Sequence, residues 1–136
     1  MELSLRIKLF SNNNFVFLLN NSKKNIKMNT GTVNEGKTIA IISYITIIGT
    51  IIAFIMNNDK HNSFAAFHIR QALGLVLLGF AVNLLGRYID SPIPFGILGF
   101  GVLILWVIGL VGAIQGEEKS IPLLGDQFQE WFRNIG

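Results

Sequence analysis

Cysteine is absent from this chain of 136 residues, and histidine occurs only twice. The lack of cysteine excludes disulfides, thiolate metal sites and a cysteine nucleophile. Two histidines without a cluster of acidic residues are a poor ligand set for a metal ion. We therefore expect no catalytic residues, no metal site and no cofactor, and a protein that is not an enzyme.

Charged residues are also scarce: they make up 14% of the sequence, whereas 51% is hydrophobic. Soluble domains average roughly 25% charged residues, so this composition favours a membrane protein. The charges leave three uncharged runs: 21 residues between Lys37 and Asp59, 16 between Arg70 and Arg87, and 26 between Asp90 and Glu117.

Each run is close to the length of a membrane-crossing helix, because about 20 residues at 1.5 Å per residue span a hydrocarbon core of roughly 30 Å. We predict an all-α membrane protein with three transmembrane helices, at about residues 37–57, 70–88 and 95–115. They would form a single domain over residues 35–136. Buried core helices of a soluble protein are the alternative, which three such runs in succession disfavour.

The first segment differs from the rest in composition. Residues 1–27 hold five Lys or Arg against one Glu, and "SNNNFVFLLNNSKKNIKMN" has no sustained periodicity. Its apolar run is too short for a signal peptide. We interpret residues 1–34 as a disordered or translated leader, with a native start at Met28. Because the basic charge is confined to this segment, we do not expect nucleic-acid binding.

The last segment predicts an amphipathic helix over about residues 124–135. In a helix its apolar residues share one face: Leu124, Phe128, Trp131, Phe132 and Ile135. A helix with an aromatic face is typical of a segment that lies in the plane of the membrane interface. A helix docked against the end of the bundle is an equal alternative.

The stretch "FAAFHIRQALG" (64–74) places three hydrogen-bonding side chains at the start of the second uncharged run. Ser63 is a candidate N-cap, so this helix would begin before the membrane and place the polar side chains at the interface. They could satisfy loop carbonyls, lipid headgroups or exposed helix ends. The alternative is a site that binds a partner or lipid, formed by Phe67, His68, Arg70, Gln71 and Trp131.

The sequence "FHIRQAL" (67–73) resembles the "FH..QA" signature of small bacterial membrane proteins. These are related to the chloroplast inner-envelope Tic import component of about twenty kilodaltons. The "EGKTIAIISYI" opening and the "IPLLG…WF" ending are similar to the same proteins, so the resemblance covers Glu35 to Ile135. It implies an integral membrane protein and, by distant analogy, a role in protein import. The plastid relatives have four spans, whereas this chain is predicted to have three.

Orientation follows from the positive charges that flank the spans. Counted from Met28, the side of the first loop and the C-terminus carries more Lys and Arg, which predicts a cytoplasmic C-terminus; counted from Met1, the answer reverses. We expect a non-enzymatic protein of the bacterial inner (plasma) membrane that contacts lipid, a membrane-protein partner or a second copy of itself. The alternative function is a subunit of a transport or protein-translocation assembly.

Overall fold

The chain is described by a computed structural model that covers residues 31–136 and, before them, Glu2, Ser4, Val16, Phe17, Leu19 and Asn20. The chain divides into two compact units, Met1–Thr32 and Val33–Gly136. The six earlier residues are helical and exposed. The expected start at Met28 lies outside the described residues, as does most of the predicted leader. Throughout the described ranges the regular secondary structure is helical, without strands.

The second unit contains five helices. Helix α1 covers residues 31–45, of which 33–45 belong to this unit; the others are α2 (Ile47–Lys60), α3 (Ser63–Leu85), α4 (Pro92–Gln115) and α5 (Gly125–Trp131). Helix α3 is central, since it packs against α2, α4 and α5. Two of the helices, α3 and α4, are long and apolar enough to cross a membrane.

The first predicted span is divided in two, so a continuous helix over 37–57 is not confirmed. Thr46 leaves the helical conformation (φ −155°, ψ 171°), and its hydroxyl accepts a hydrogen bond from the Gly49 amide at 3.0 Å. The Thr50 hydroxyl donates to the Ser43 carbonyl at 2.8 Å across the break. Ser and Thr side chains can replace the helical hydrogen-bond partners of nearby backbone groups in this way. Gly49 is also needed here, because a Cβ at this position would overlap the Ile42 carbonyl oxygen.

The turn between α2 and α3 is built from two buried asparagines. The Asn57 amide donates to the Asn62 carbonyl at 3.1 Å, and the Asn62 backbone amide donates to Asn57 Oδ1 at 3.0 Å. Asn62 Oδ1 accepts from the Ala65 amide at 3.0 Å, which makes Asn62 the N-cap of α3. The expectation that Ser63 is the cap was wrong by one residue, because Asn at this position satisfies both the turn and the helix start.

The third uncharged run forms a helix, as predicted, and two prolines lie at its start. Pro92 and Pro94 lie in its first turn, where a missing N–H costs little. The helix ends at Gly116, whose left-handed φ of 77° suits glycine. Its sides are largely uncovered, since only Gly109, Gly112 and Ala113 of its residues are buried.

The C-terminal helix is shorter than predicted. It covers Gly125–Trp131 instead of 124–135, and it packs on α3, as in the docked alternative. Phe128 is buried against Gly74, where a Cβ would overlap its ring. The core of the unit contains Ala40, Tyr44, Phe64, Ala72, Leu75, Ala113, Ile121 and Phe128. It therefore sits at the end of the bundle where α3 begins.

Two glycines of α4 provide a matched test of this packing. A Cβ on Gly109 would lie 2.8 Å from the Tyr44 ring, whereas one on Gly101 would meet nothing within 4 Å. We expect Gly109→Ala to lower the free energy of unfolding by about 1–3 kcal/mol through overpacking. Gly101→Ala should raise it by up to about 1 kcal/mol, because alanine favours the helix.

The measurement is unfolding of each variant in mixed micelles, followed by circular dichroism. Equal effects of the two substitutions would contradict the close approach of α4 to Tyr44.

Candidate functional site

The three polar side chains of the "FHIRQ" stretch hold the chain that follows α4. His68, Arg70 and Gln71 each bond to backbone groups between residues 117 and 135. We call these three side chains the clamp and residues 117–135 the C-terminal segment. The clamp joins parts of the chain that are 48 to 65 residues apart.

Gln71 bonds to the C-terminal segment through both ends of its amide. Its Nε2 donates to the Lys119 carbonyl at 3.2 Å, and its Oε1 accepts from the Ile121 amide at 2.7 Å. The side chain is fully buried, and so is Ile121. A side-chain amide carries a donor and an acceptor side by side, so it can bond to a carbonyl and to an N–H of the same backbone segment.

His68 bonds to the point where the chain leaves α4. Its Nε2 donates to the Glu117 carbonyl at 3.1 Å, and its Nδ1 accepts from the Tyr44 hydroxyl at 3.2 Å. A carbonyl only accepts, which assigns the hydrogen to Nε2. The ring is fully buried and packs edge-on against Phe64 and Phe67, at centroid distances of 4.7 and 5.2 Å.

Arg70 holds the chain beyond α5. Its Nε donates to the Ile135 carbonyl at 2.8 Å and its Nη2 to the Arg133 carbonyl at 3.0 Å. Carbonyl groups at and beyond the C-terminal end of a helix have no hydrogen-bond partner within the helix. A positively charged side chain near that end is also favoured by the helix dipole. In return, the Gln129 side chain donates to the Phe67 carbonyl at 2.8 Å.

These contacts place the predicted binding residues in two groups. His68 and Gln71 are buried with both polar ends occupied, and Phe67 and Arg70 are half-buried. Trp131 lies apart from them on α5 and is 67% exposed. The clamp contacts match the alternative in which these side chains satisfy loop carbonyls and helix ends. A partner-binding or lipid-binding role of the five residues stays a prediction.

Sequence reasoning missed the aromatic partners of the clamp. Tyr44 bonds to His68, and its own carbonyl accepts from Trp106 Nε1 at 2.9 Å. That bond satisfies a carbonyl beside the break at Thr46. The sequence did offer one indication of these contacts. Tyr44 and Trp106 lie within the first and third uncharged runs, and the hydroxyl of a buried Tyr or the N–H of a buried Trp needs a hydrogen-bond partner. Across residues 31–136 and the six earlier ones described, no three His, Asp or Glu side chains are grouped as metal ligands.

Comparison with known proteins supports a membrane protein without settling the family. No protein-family model matches the chain, and no solved structure matches it. A UPF0132 membrane protein of Methanocaldococcus jannaschii is 26% identical over 83 residues, which is 57% of this chain. The chain spans about half of that protein's length, 56%. This similarity and the two long apolar helices support a location in a membrane; the relationship to the Tic component stays a prediction.

Proposed function

We propose that this is a non-enzymatic integral membrane protein that crosses the bilayer three times and contacts lipid headgroups or a membrane partner through its C-terminal segment. The surface of α4 is the observation that carries the membrane assignment. Nine of its large apolar side chains are 41–70% exposed: Ile93, Ile97, Leu98, Phe100, Leu103, Ile104, Val107, Val111 and Ile114. Lipid, not water, is the solvent that suits such a surface.

The first span of this proposal is the bent pair α1 and α2. Non-helical backbone is tolerated at membrane depth where its polar groups find partners inside the protein. Such partners surround Thr46: its hydroxyl caps Gly49, the Thr50 hydroxyl bonds the Ser43 carbonyl, and Trp106 bonds the Tyr44 carbonyl. Beyond the break, α2 exposes a further set of apolar side chains: Ile47, Ile48, Ile51, Ile52, Phe54 and Ile55.

The contact surface of this proposal is the C-terminal segment, not the clamp that holds it. Leu123 is 90% exposed at a left-handed φ of 72°, and Trp131 is 67% exposed. A leucine in that conformation is strained, and full exposure of it to water would add a further cost. Insertion of Leu123 and Trp131 among lipid headgroups, or into a protein partner, would remove their exposure to water. Tryptophan is enriched at the membrane–water interface, where the headgroups lie.

Membrane topology tests the proposal, and the absence of cysteine makes the test simple. Four exposed acidic residues are replaced one at a time by Cys: Glu35, Asp59, Asp90 and Asp126. With three spans, a membrane-impermeant maleimide added to intact cells should label Glu35→Cys and Asp90→Cys. Asp59→Cys and Asp126→Cys should react only after the membrane is permeabilised, because the C-terminus is predicted to be cytoplasmic.

The pairing of sites tests the number of spans separately from the orientation. If Glu35→Cys reacts from the same side as Asp59→Cys, the bent first span does not cross and the three-span proposal fails. If Asp59→Cys and Asp126→Cys react in intact cells and the other two variants do not, three spans are supported and the orientation is the reverse of that predicted.

The clamp is tested by Gln71→Leu, which keeps the side-chain volume and removes both bonds. It leaves the Lys119 carbonyl and the Ile121 amide without their partner, and unsatisfied buried groups cost about 1–3 kcal/mol each. We expect a loss of roughly 2–4 kcal/mol in the free energy of unfolding, together with faster proteolysis within residues 117–135.

The control is Gln127→Leu, since Gln127 is an exposed residue of α5. It should change stability by less than about 0.5 kcal/mol. Equal proteolysis of the two variants would show that the C-terminal segment is held without the clamp.

A further inference from the structure

A groove of about 490 Å³ lies between α3 and α4, at the end of α3 that is remote from the clamp. Its α3 wall includes Gly79, Asn83 and Arg87. Gly79 and Asn83 are four residues apart in α3, so they lie on one face about 6 Å apart along the helix axis. Arg87 follows in the tighter turn after α3, where its amide bonds the Leu84 carbonyl, and it lines the same groove.

The α4 wall of the groove is apolar and partly empty. Phe95, Gly99 and Val102 line it, and a Cβ added to Gly99 would meet nothing within 4 Å. Gly99 and Val102 also line a second groove of about 360 Å³ that ends at Trp106. Because the two grooves share Gly99 and Val102, we treat them as one path from Arg87, just after α3, to the indole of Trp106 on α4.

Two polar side chains on this path, Asn83 and Arg87, have no side-chain partner among the residues that the structure describes. Within the described ranges, neither the Asn83 amide nor the Arg87 guanidinium forms a side-chain hydrogen bond or ion pair. Asp90, the nearest acidic residue in sequence, does not line the groove. Arg87 follows the end of a candidate span, so it lies at headgroup depth, and an amide one turn deeper is costly to leave among acyl chains.

We propose that this groove is a binding site for one anionic glycerophospholipid. Arg87 bonds the phosphate, the Asn83 amide donates to an ester carbonyl, and an acyl chain passes Gly79 and Gly99 toward Trp106. The order of charge, amide and apolar wall along α3 matches the order of groups in the lipid. The inference rests on the membrane insertion proposed above.

A second copy of the chain fits the groove less well. An isologous contact centred here would bring the two Arg87 side chains together, and like charges repel strongly where water is scarce. A single anionic lipid instead supplies the opposite charge and a flexible chain for a narrow apolar path.

Trp106 provides the readout, because the chain has two tryptophans and Trp131→Phe leaves Trp106 alone. The full chain is reconstituted in phosphatidylcholine vesicles that contain a fixed fraction of phosphatidylglycerol, with either lipid brominated in its acyl chains. We expect brominated phosphatidylglycerol to quench Trp106 with an apparent affinity about fivefold above that of brominated phosphatidylcholine, the preference that one interfacial cation provides.

Two variants should abolish that preference by different routes. Arg87→Gln removes the charge, and Gly99→Leu fills the path without a collision in the protein. Their controls should retain the preference: Lys60→Gln removes an exposed cation outside the groove, and Gly96→Leu places the same side chain in open space on α4.

The outcomes separate this proposal from membrane insertion itself. If neither brominated lipid quenches Trp106, the insertion fails and the lipid site fails with it. If both quench equally in the parent protein, or if Arg87→Gln keeps the preference, the lipid site alone is overturned. Loss of the preference in Lys60→Gln would also overturn it, because a general surface charge would then be the cause.

Discussion

The structure depends on one constraint: backbone N–H and C=O groups that are removed from water must find partners. Helices satisfy most of them, but among the described residues helices do not do so at the break at Thr46 or over residues 117–121, which lack regular secondary structure. Side chains supply the missing partners in both places. An unpaired group in an apolar surrounding costs more than a typical hydrogen bond returns in net stability. Among the described residues, the buried polar side chains therefore lie near places where helices begin or end: Ser43, Thr50, Asn57, Asn62, His68 and Gln71.

Seen in this way, the two clusters have the same role. Around Thr46, hydroxyl groups and one indole N–H supply hydrogen bonds to backbone groups on both sides of the break. At the start of α3, an imidazole, a guanidinium and an amide do the same for a segment remote in sequence. Helix α3 connects the two, since Tyr44 from beside the break reaches His68 in the clamp. Side-chain hydrogen bonds therefore connect the break, the start of α3 and the chain around α5.

Much of this fold could be predicted from the sequence, and its limits have physical reasons. The second and third uncharged runs gave helices near the expected bounds, because length and lack of charge are local properties. The break at Thr46 escaped prediction, since Ser43, Thr46 and Thr50 are equally compatible with an unbroken helix whose hydroxyls bond back to its own carbonyls. The stretch 64–74 was predicted to be polar and to lie at the membrane interface, but the partners of its polar side chains are mainly backbone atoms. A carbonyl of Lys119 or Arg133 carries no sequence signal, so the clamp geometry could not be deduced.

The long separation within the clamp affects how the protein is made. His68 and Gln71 leave the ribosome 48 to 50 residues before the backbone groups that they bond. At roughly 5–20 residues per second, this interval lasts about 2–10 seconds. During that time α3 carries unpaired donors and acceptors at its start, and α4 must be synthesised before they can be satisfied. The start of α3 therefore acquires these hydrogen bonds only after the C-terminal segment has been synthesised.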